Sequence, residues 1–218
     1  MTASHSNAIL GVCLGLILIT GGVGQSAQAH SSRVLLDDRH ARVTVVTLAP
    51  RESMVITGAT TYGTVWVPLN DKILSEVIEE PKVEADWVFD GTGVRTISAG
   101  GKVSISNSDS SPARVVIVDV KSGYHLSLDG VSLGIDNPGS EEDSTENDTL
   151  LIPQTPVRFR DVKDTGGDPL DTHLEKPRTI RLEPGQVGWL REGRHVLTNL
   201  LGKPVRYVLV EFGPSGPR

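Results

Sequence analysis

The sequence predicts an all-β protein made of two copies of one β-rich unit. Three observations carry this. Short segments rich in Val, Thr and Ile alternate with clusters of Gly, Asn, Ser and Pro from residue 33 to the end. No stretch of about twelve residues or more shows the 3.6-residue apolar period of an amphipathic helix. A stretch of 28 residues near the end of the chain also repeats an earlier stretch without a gap. Many short strands separated by turn signals point to a sandwich or barrel.

In order, Arg33–Asp37 and Ala41–Leu48 (ARVTVVTL) read as strands, because β-branched residues suit a pleated, half-buried surface. Ala49-Pro50-Arg51-Glu52 reads as a turn, and Ser53–Thr57 and Thr64–Leu69 as two further strands. Asp71–Glu80 is ambiguous, since Ile73, Leu74, Val77 and Ile78 fit a helical spacing as well as a strand pair; strand plus turn is the reading adopted. Asp86–Phe89, Val94–Ile97, Val103–Ser106 and Arg114–Val120 complete the first set of strands, and Tyr124–Leu128 reads as another.

A shift of 92 residues lays 93–120 over 185–212. Seven positions are identical: Gly93/Gly185, Gly101/Gly193, Asn107/Asn199, Pro112/Pro204, Arg114/Arg206, Val116/Val208 and Val118/Val210. Upstream, Thr64–Leu69 matches Thr149–Gln154 and Pro50 matches Pro138 at slightly smaller shifts, as unequal loops require. A unit of about 90 residues present twice implies two similar β domains side by side. The expected division is 30–121 and 122–218.

Residues 1–29 read as a signal peptide. Ala8–Thr20 is an apolar run of 13 residues, too short for a stable span, and Ala27-Gln28-Ala29 offers an A-x-A cleavage site. The expected location is therefore periplasmic or secreted, with no membrane association after cleavage. Cys13 is the only cysteine, so the mature chain forms no internal disulfide, and its stability rests on its core. The net charge of −6 argues against nucleic acid or anionic lipid as a partner. With three Trp, three Tyr and three Phe, there is little material for an aromatic platform that stacks sugars or bases.

The most informative stretch is Gly185–Asn199, GQVGWLREGRHVLTN. It holds a turn glycine, a β run with Trp189, the turn Glu192-Gly193, then His195 and Asn199, followed by the strand Val205–Phe212. This order resembles the second motif of the cupin superfamily. The turn Ala49-Pro50-Arg51-Glu52 is similar to the Ala-Pro-Gly-Glu that opens such units, and the resemblance covers most of 33–214. It implies two tandem double-stranded β-helices, each a jelly-roll barrel, in a secreted bacterial bicupin. It names no substrate, because one frame hosts many functions.

The resemblance also implies where a metal would sit. A cupin site takes a His-x-His pair and a carboxylate from its first motif and a histidine from its second, a donor set suited to divalent transition metals. In the first copy the first-motif position holds Thr57-Gly58-Ala59, followed by Thr60, Thr61 and Tyr62, and the second-motif histidine is replaced by Val103. The second copy keeps His195, and its first-motif stretch is GSEEDSTEND at 139–148. Two readings stand. His195 with Glu142 and Asp143 could hold a divalent metal in the C-terminal barrel, giving an oxygenase or isomerase. Alternatively the acidic run is a solvated loop, and His195, Trp189 and Asn199 border a pocket for a small organic ligand, with no resident cofactor. Asn107 and Asn199 read as closing turns through their side chains. Trp66, Trp87 and Trp189 are candidates to line a pocket, with Trp66 and Trp189 read as core by default; His125, His173 and His40 read as structural or exposed. No nucleophile elbow, catalytic cysteine or phosphate-cradling loop appears. The expected role is a non-catalytic binding or structural module, alone or as a homodimer, with the metal-dependent enzyme as its rival.

Overall fold

The computed structural model describes residues 30–58, 63–69, 74–79, 94–139, 141–143, 147–164 and 174–214. The leader segment, the Asp86–Phe89 strand, Trp87, His173 and Ala59–Tyr62 lie outside them. Every regular element among the described residues is a strand.

Five strands form the first sheet: β1 (Ser31–Asp37), β2 (Ala41–Leu48), β4 (Thr64–Pro68), β6 (Arg95–Ile97) and β8 (Ala113–Val120), in the order β1-β2-β8-β4-β6. Facing it is a smaller sheet of β3 (Ser53–Thr57), β7 (Lys102–Asn107) and β5 (Leu74–Glu79), in the order β3-β7-β5. The ambiguous segment 71–80 therefore resolves as a strand where it is described.

The second half repeats this plan. One of its two four-stranded sheets contains β9 (Tyr124–Asp136), β11 (Asp148–Pro153), β14 (Gly188–Leu190) and β16 (Val205–Pro214), ordered β14-β11-β16-β9. The other contains β10 (Glu141–Asp143), β12 (Val157–Asp164), β13 (Arg178–Leu182) and β15 (Arg194–Asn199), ordered β10-β15-β12-β13. Placing β8 on β16 and β7 on β15 aligns β2-β8-β4-β6 with β9-β16-β11-β14 and β3-β7-β5 with β10-β15-β12. The 92-residue shift is thus a repeat of strand order, with β1 and β13 added at sheet edges.

Two of these sheets are buried on both faces, which explains the unbroken apolar runs. In β8, Val115 and Ile117 join the cluster enclosed by the first sheet pair, while Val116 and Val118 point the other way. In β16, Tyr207 and Leu209 point into the second sheet pair and Val208 and Val210 away from it. The outward residues of these two sheets meet in one cluster that also contains Val43, Val65, Leu150, Ile152 and Phe212. Four sheets are therefore layered around three apolar clusters, and the central cluster joins the two halves. Strands covered on both sides lose the polar/apolar alternation of half-exposed strands. Two hydrogen bonds clasp the halves at this layer: Gln154 Nε2 to the Pro68 carbonyl at 3.0 Å and an Arg114 guanidinium N–H to the Pro184 carbonyl at 2.7 Å. A side chain at Gly185 (φ +88°) would collide with that guanidinium.

The repeat extends to hydrogen bonds that no strand requires. Asn107 Nδ2 donates to the carbonyls of Leu48, Ala49 and Ser111, and its Oδ1 accepts from the Asp109 amide. Asn199 Nδ2 donates to Asp136 and Lys203, and its Oδ1 accepts from Leu201. Each asparagine carbonyl accepts an amide from the facing turn, Arg51 for Asn107 and Gly139 for Asn199. That amide belongs to a left-handed residue in both halves: Gly139 has φ +75° and Arg51, where the cupin motif has glycine, has φ +64°. A side chain in this region is strained by about 1–2 kcal/mol, partly offset by the lower unfolded-state entropy of a non-glycine residue. Arg51→Gly is therefore expected to raise stability by about 0.5–1 kcal/mol, measured as a shift in urea midpoint at unchanged slope; a loss of stability would show that the arginine makes a compensating contact.

Candidate functional site

His195 lies on β15, directly after the turn Glu192-Gly193, where Gly193 has φ +126°. Strand alternation sends His195, Leu197 and Asn199 into the space between the two C-terminal sheets, and His195 is 1% exposed. The neighbouring strand β12 pairs Asp161 with Leu197 and Lys163 with His195, so the Asp161 carboxylate reaches the imidazole diagonally. Nδ1 of His195 lies 2.8 Å from Asp161 Oδ1 and Nε2 lies 2.6 Å from the Arg191 carbonyl. The second Asp161 oxygen accepts from Arg178 Nε at 2.6 Å, and Arg178 sits opposite Asp161 on β13.

These partners decide what His195 does. A carbonyl oxygen only accepts, and an ionised carboxylate only accepts. Burial opposes the charge on Asp161 most strongly, but the hydrogen bonds from His195 and Arg178 outweigh it, and the carboxyl is held below its ordinary 3.8. Both ring nitrogens therefore face acceptor oxygens of the protein. Neither is turned to an open position where a metal would stand, so His195 does not fit a metal ligand set in this arrangement. At the equivalent place on β7 stands Val103, buried in the first half's core.

Of the other expected site residues, Trp189 and Asn199 are not gathered around His195. Glu141–Asp143 form strand β10, paired with β15 so that Glu142 is opposite Leu197 and Asp143 opposite Val196. These three residues are therefore strand rather than loop: they extend the β-ladder beside the histidine strand. Trp189 lies on the other face of its strand from Leu190. Leu190 joins the C-terminal interior, while Trp189 packs against the central layer between the halves. Asn199 is spent on its turn, as described above. The C-terminal interior is filled by Phe159, Tyr207, Leu151, Leu190 and Leu197, all fully buried. Phe159 and Tyr207 meet edge to face at 5.1 Å, and Tyr207 donates its hydroxyl to Asp136 at 2.9 Å.

The structure also assembles a cluster that the sequence reading missed. His40, in the bend between β1 and β2, is as buried as His195. Its ring packs against Tyr124 at 4.3 Å, Trp189 at 5.1 Å and Phe212 at 5.9 Å. Its Nε2 meets Asp148 Oδ2 at 2.9 Å, across the junction of the halves, while Nδ1 is buried without a hydrogen bond. Asp148 is the last residue of the acidic run, at the start of β11, so one acid of that run does meet a histidine, though a different one. A histidine immediately before the apolar run Ala41–Leu48 was the available signal.

No family model and no curated protein matches this sequence. Solved structures do. A conserved protein of unknown function from Pseudomonas aeruginosa superimposes with a TM-score of 0.59 at 14% identity, over 88% of this chain and 92% of that one. A cupin 2 conserved barrel domain protein from Leptotrichia buccalis gives 0.51 at 11% identity, over 85% and 90%. Oxalate decarboxylase from Bacillus subtilis, described with Mn(II) centres, gives 0.57 at 9% identity, over 86% and 74%. The chain has a cupin-like, all-β fold. At these identities the likeness concerns the fold alone, which vicilin from Capsicum annuum also shares (TM-score 0.54, 14% identity, over 83% of this chain and 77% of that one).

Proposed function

We propose that this chain is an exported protein of two cupin-like barrels that works as a non-catalytic binding or structural module, with no resident metal. The observation that carries this reading is His195 itself. The residue expected to ligate a metal has both ring nitrogens engaged within the protein, by Asp161 and by the Arg191 carbonyl. Holding a backbone carbonyl and an ion pair in place is a structural task. The recurrence of strand order, of the Asn107 and Asn199 turns and of the left-handed turn residue supports two barrels of common design. The close-packed aromatic interior of the second half favours a ligand site outside that barrel.

The test is the metal content of protein exported natively, without an affinity tag, measured by elemental mass spectrometry beside His195→Ala. The expected result is far less than one transition metal per chain in both samples, and an intact mass beginning at His30. Near-stoichiometric manganese, iron, zinc or copper that disappears in His195→Ala would overturn the reading in favour of a metal-dependent enzyme, and would justify assays for oxygen uptake and decarboxylation.

A further inference from the structure

At the junction of the halves, next to the His40–Asp148 pair, the surface opens into a cleft of about 690 Å³ lined by Asp38, Arg39, Asp148, Lys163, Arg191 and Glu192. We infer that this cleft is a binding site for a small dianion, a dicarboxylate or a phosphate, held between Arg39 of one half and Arg191 of the other. The inference deepens the binding-module reading and rests on it.

The acids and the cations of the cleft are not equally engaged. Asp38 Oδ1 accepts the amides of His40 and Ala41 at 2.8 and 3.2 Å. Asp148 accepts the Glu192 amide on one oxygen at 2.9 Å and faces His40 Nε2 with the other. Their acceptor capacity is largely spent on the protein. The arginines are held only at ion-pair range: Arg39 and Arg191 approach the same Asp148 oxygen at 3.6 and 3.9 Å, beyond hydrogen-bonding distance. Two guanidinium groups from different halves thus converge on a single oxygen whose charge is shared with a histidine. Two like charges this close are relieved by an added anion, and guanidinium N–H forks match carboxylate and phosphate oxygens. Lys163 adds a third cation; its stem crosses Gly193, where a side chain would collide with it.

Arg191 is also pre-set. Its guanidinium stands 5.3 Å over the Trp189 ring, and its carbonyl is the oxygen that meets His195 Nε2 at 2.6 Å. His195 is therefore a positioning residue for this site: the Arg178–Asp161–His195 chain anchors the backbone that carries Arg191. The chain as a whole is acidic, so a general affinity for anions is not expected from its net charge of −6.

The experiment is calorimetric titration of the mature protein with inorganic phosphate and, separately, with succinate, at low and high salt. Saturable binding of at least one anion is expected, weakening as salt rises; the tighter of the two identifies the ligand class. Arg39→Gln and Arg191→Gln should each weaken it about tenfold or more, since each removes a charge-assisted contact. Both side chains are more than half exposed, so these variants should keep the wild-type melting curve. Glu192→Gln should tighten binding severalfold by removing a like charge. Arg181→Gln, on the exposed edge strand β13, should change it less than about twofold. No saturable binding of either anion at concentrations that would reveal a Kd of about 1 mM, or equal weakening by Arg181→Gln, overturns the inference. Metal measured in the same sample separates the two claims. Stoichiometric metal with Arg39-dependent anion binding would sink the metal-free reading and leave this site standing; metal-free protein that binds neither anion would do the reverse.

Discussion

Asp161→Asn is expected to destabilise the protein by about 3–5 kcal/mol, the usual consequence of removing one partner from a buried ion pair. Asp161 is 1% exposed and accepts from both His195 and Arg178. The amide has one acceptor oxygen for two donors, so its NH2 must face a guanidinium or an imidazole N–H. Urea unfolding near neutral pH measures the loss. The size of the effect should also depend on pH. The folded-state pKa of Asp161 lies below its ordinary 3.8, so in acid the unfolded chain binds the extra proton. The stabilisation from its ionised form is fully present above about pH 4–5 and declines as pH falls through the lowered folded value. The gap between wild type and Asp161→Asn should therefore narrow in acid. A loss below about 1 kcal/mol near neutral pH would mean that Asp161 is not held as a buried, ionised carboxylate.

Phe159→Ala is expected to cost a similar amount, about 3–5 kcal/mol, because it opens a void in a filled interior. Phe159 is fully buried between the C-terminal sheets and meets Tyr207 edge to face. The result bears on function as well as stability. A side chain that lined a water-filled ligand cavity would lose little on truncation, since no packed neighbours would be left without contacts. A small loss would therefore reopen the barrel interior as a ligand site, whereas a large one directs attention to the junction cleft.

Much of the architecture was legible in the sequence because it rests on local rules. Alternating β-branched segments, Gly and Asn punctuation and the 92-residue repeat were enough for an all-β chain with a duplicated plan, and for the turn role of Asn107 and Asn199. The site was harder to read, for reasons visible in particular residues. Asp161 sits in VRFRDVKD, where Val157, Phe159 and Asp161 are buried and Arg158 and Arg160 are exposed. An acid at an inward position of a period-2 pattern was the signal, but a charge among charges reads as surface. Trp189 and His195 are close in sequence, yet the strand-turn-strand between them places them in different layers. His40 and Asp148 are far apart in the chain and meet only because two sheets pack back to back. Long-range pairings of this kind leave no spacing to read.

The most direct measurement is the state of the His195 ring, by long-range proton–nitrogen NMR correlation on histidine-labelled protein, assigned with His195→Ala. The account predicts that both ring nitrogens stay hydrogen-bonded within the protein, with no change in their signals when zinc or manganese is added. A His195 nitrogen that shifts or broadens on metal addition would contradict it, and would return this residue to the role of metal ligand.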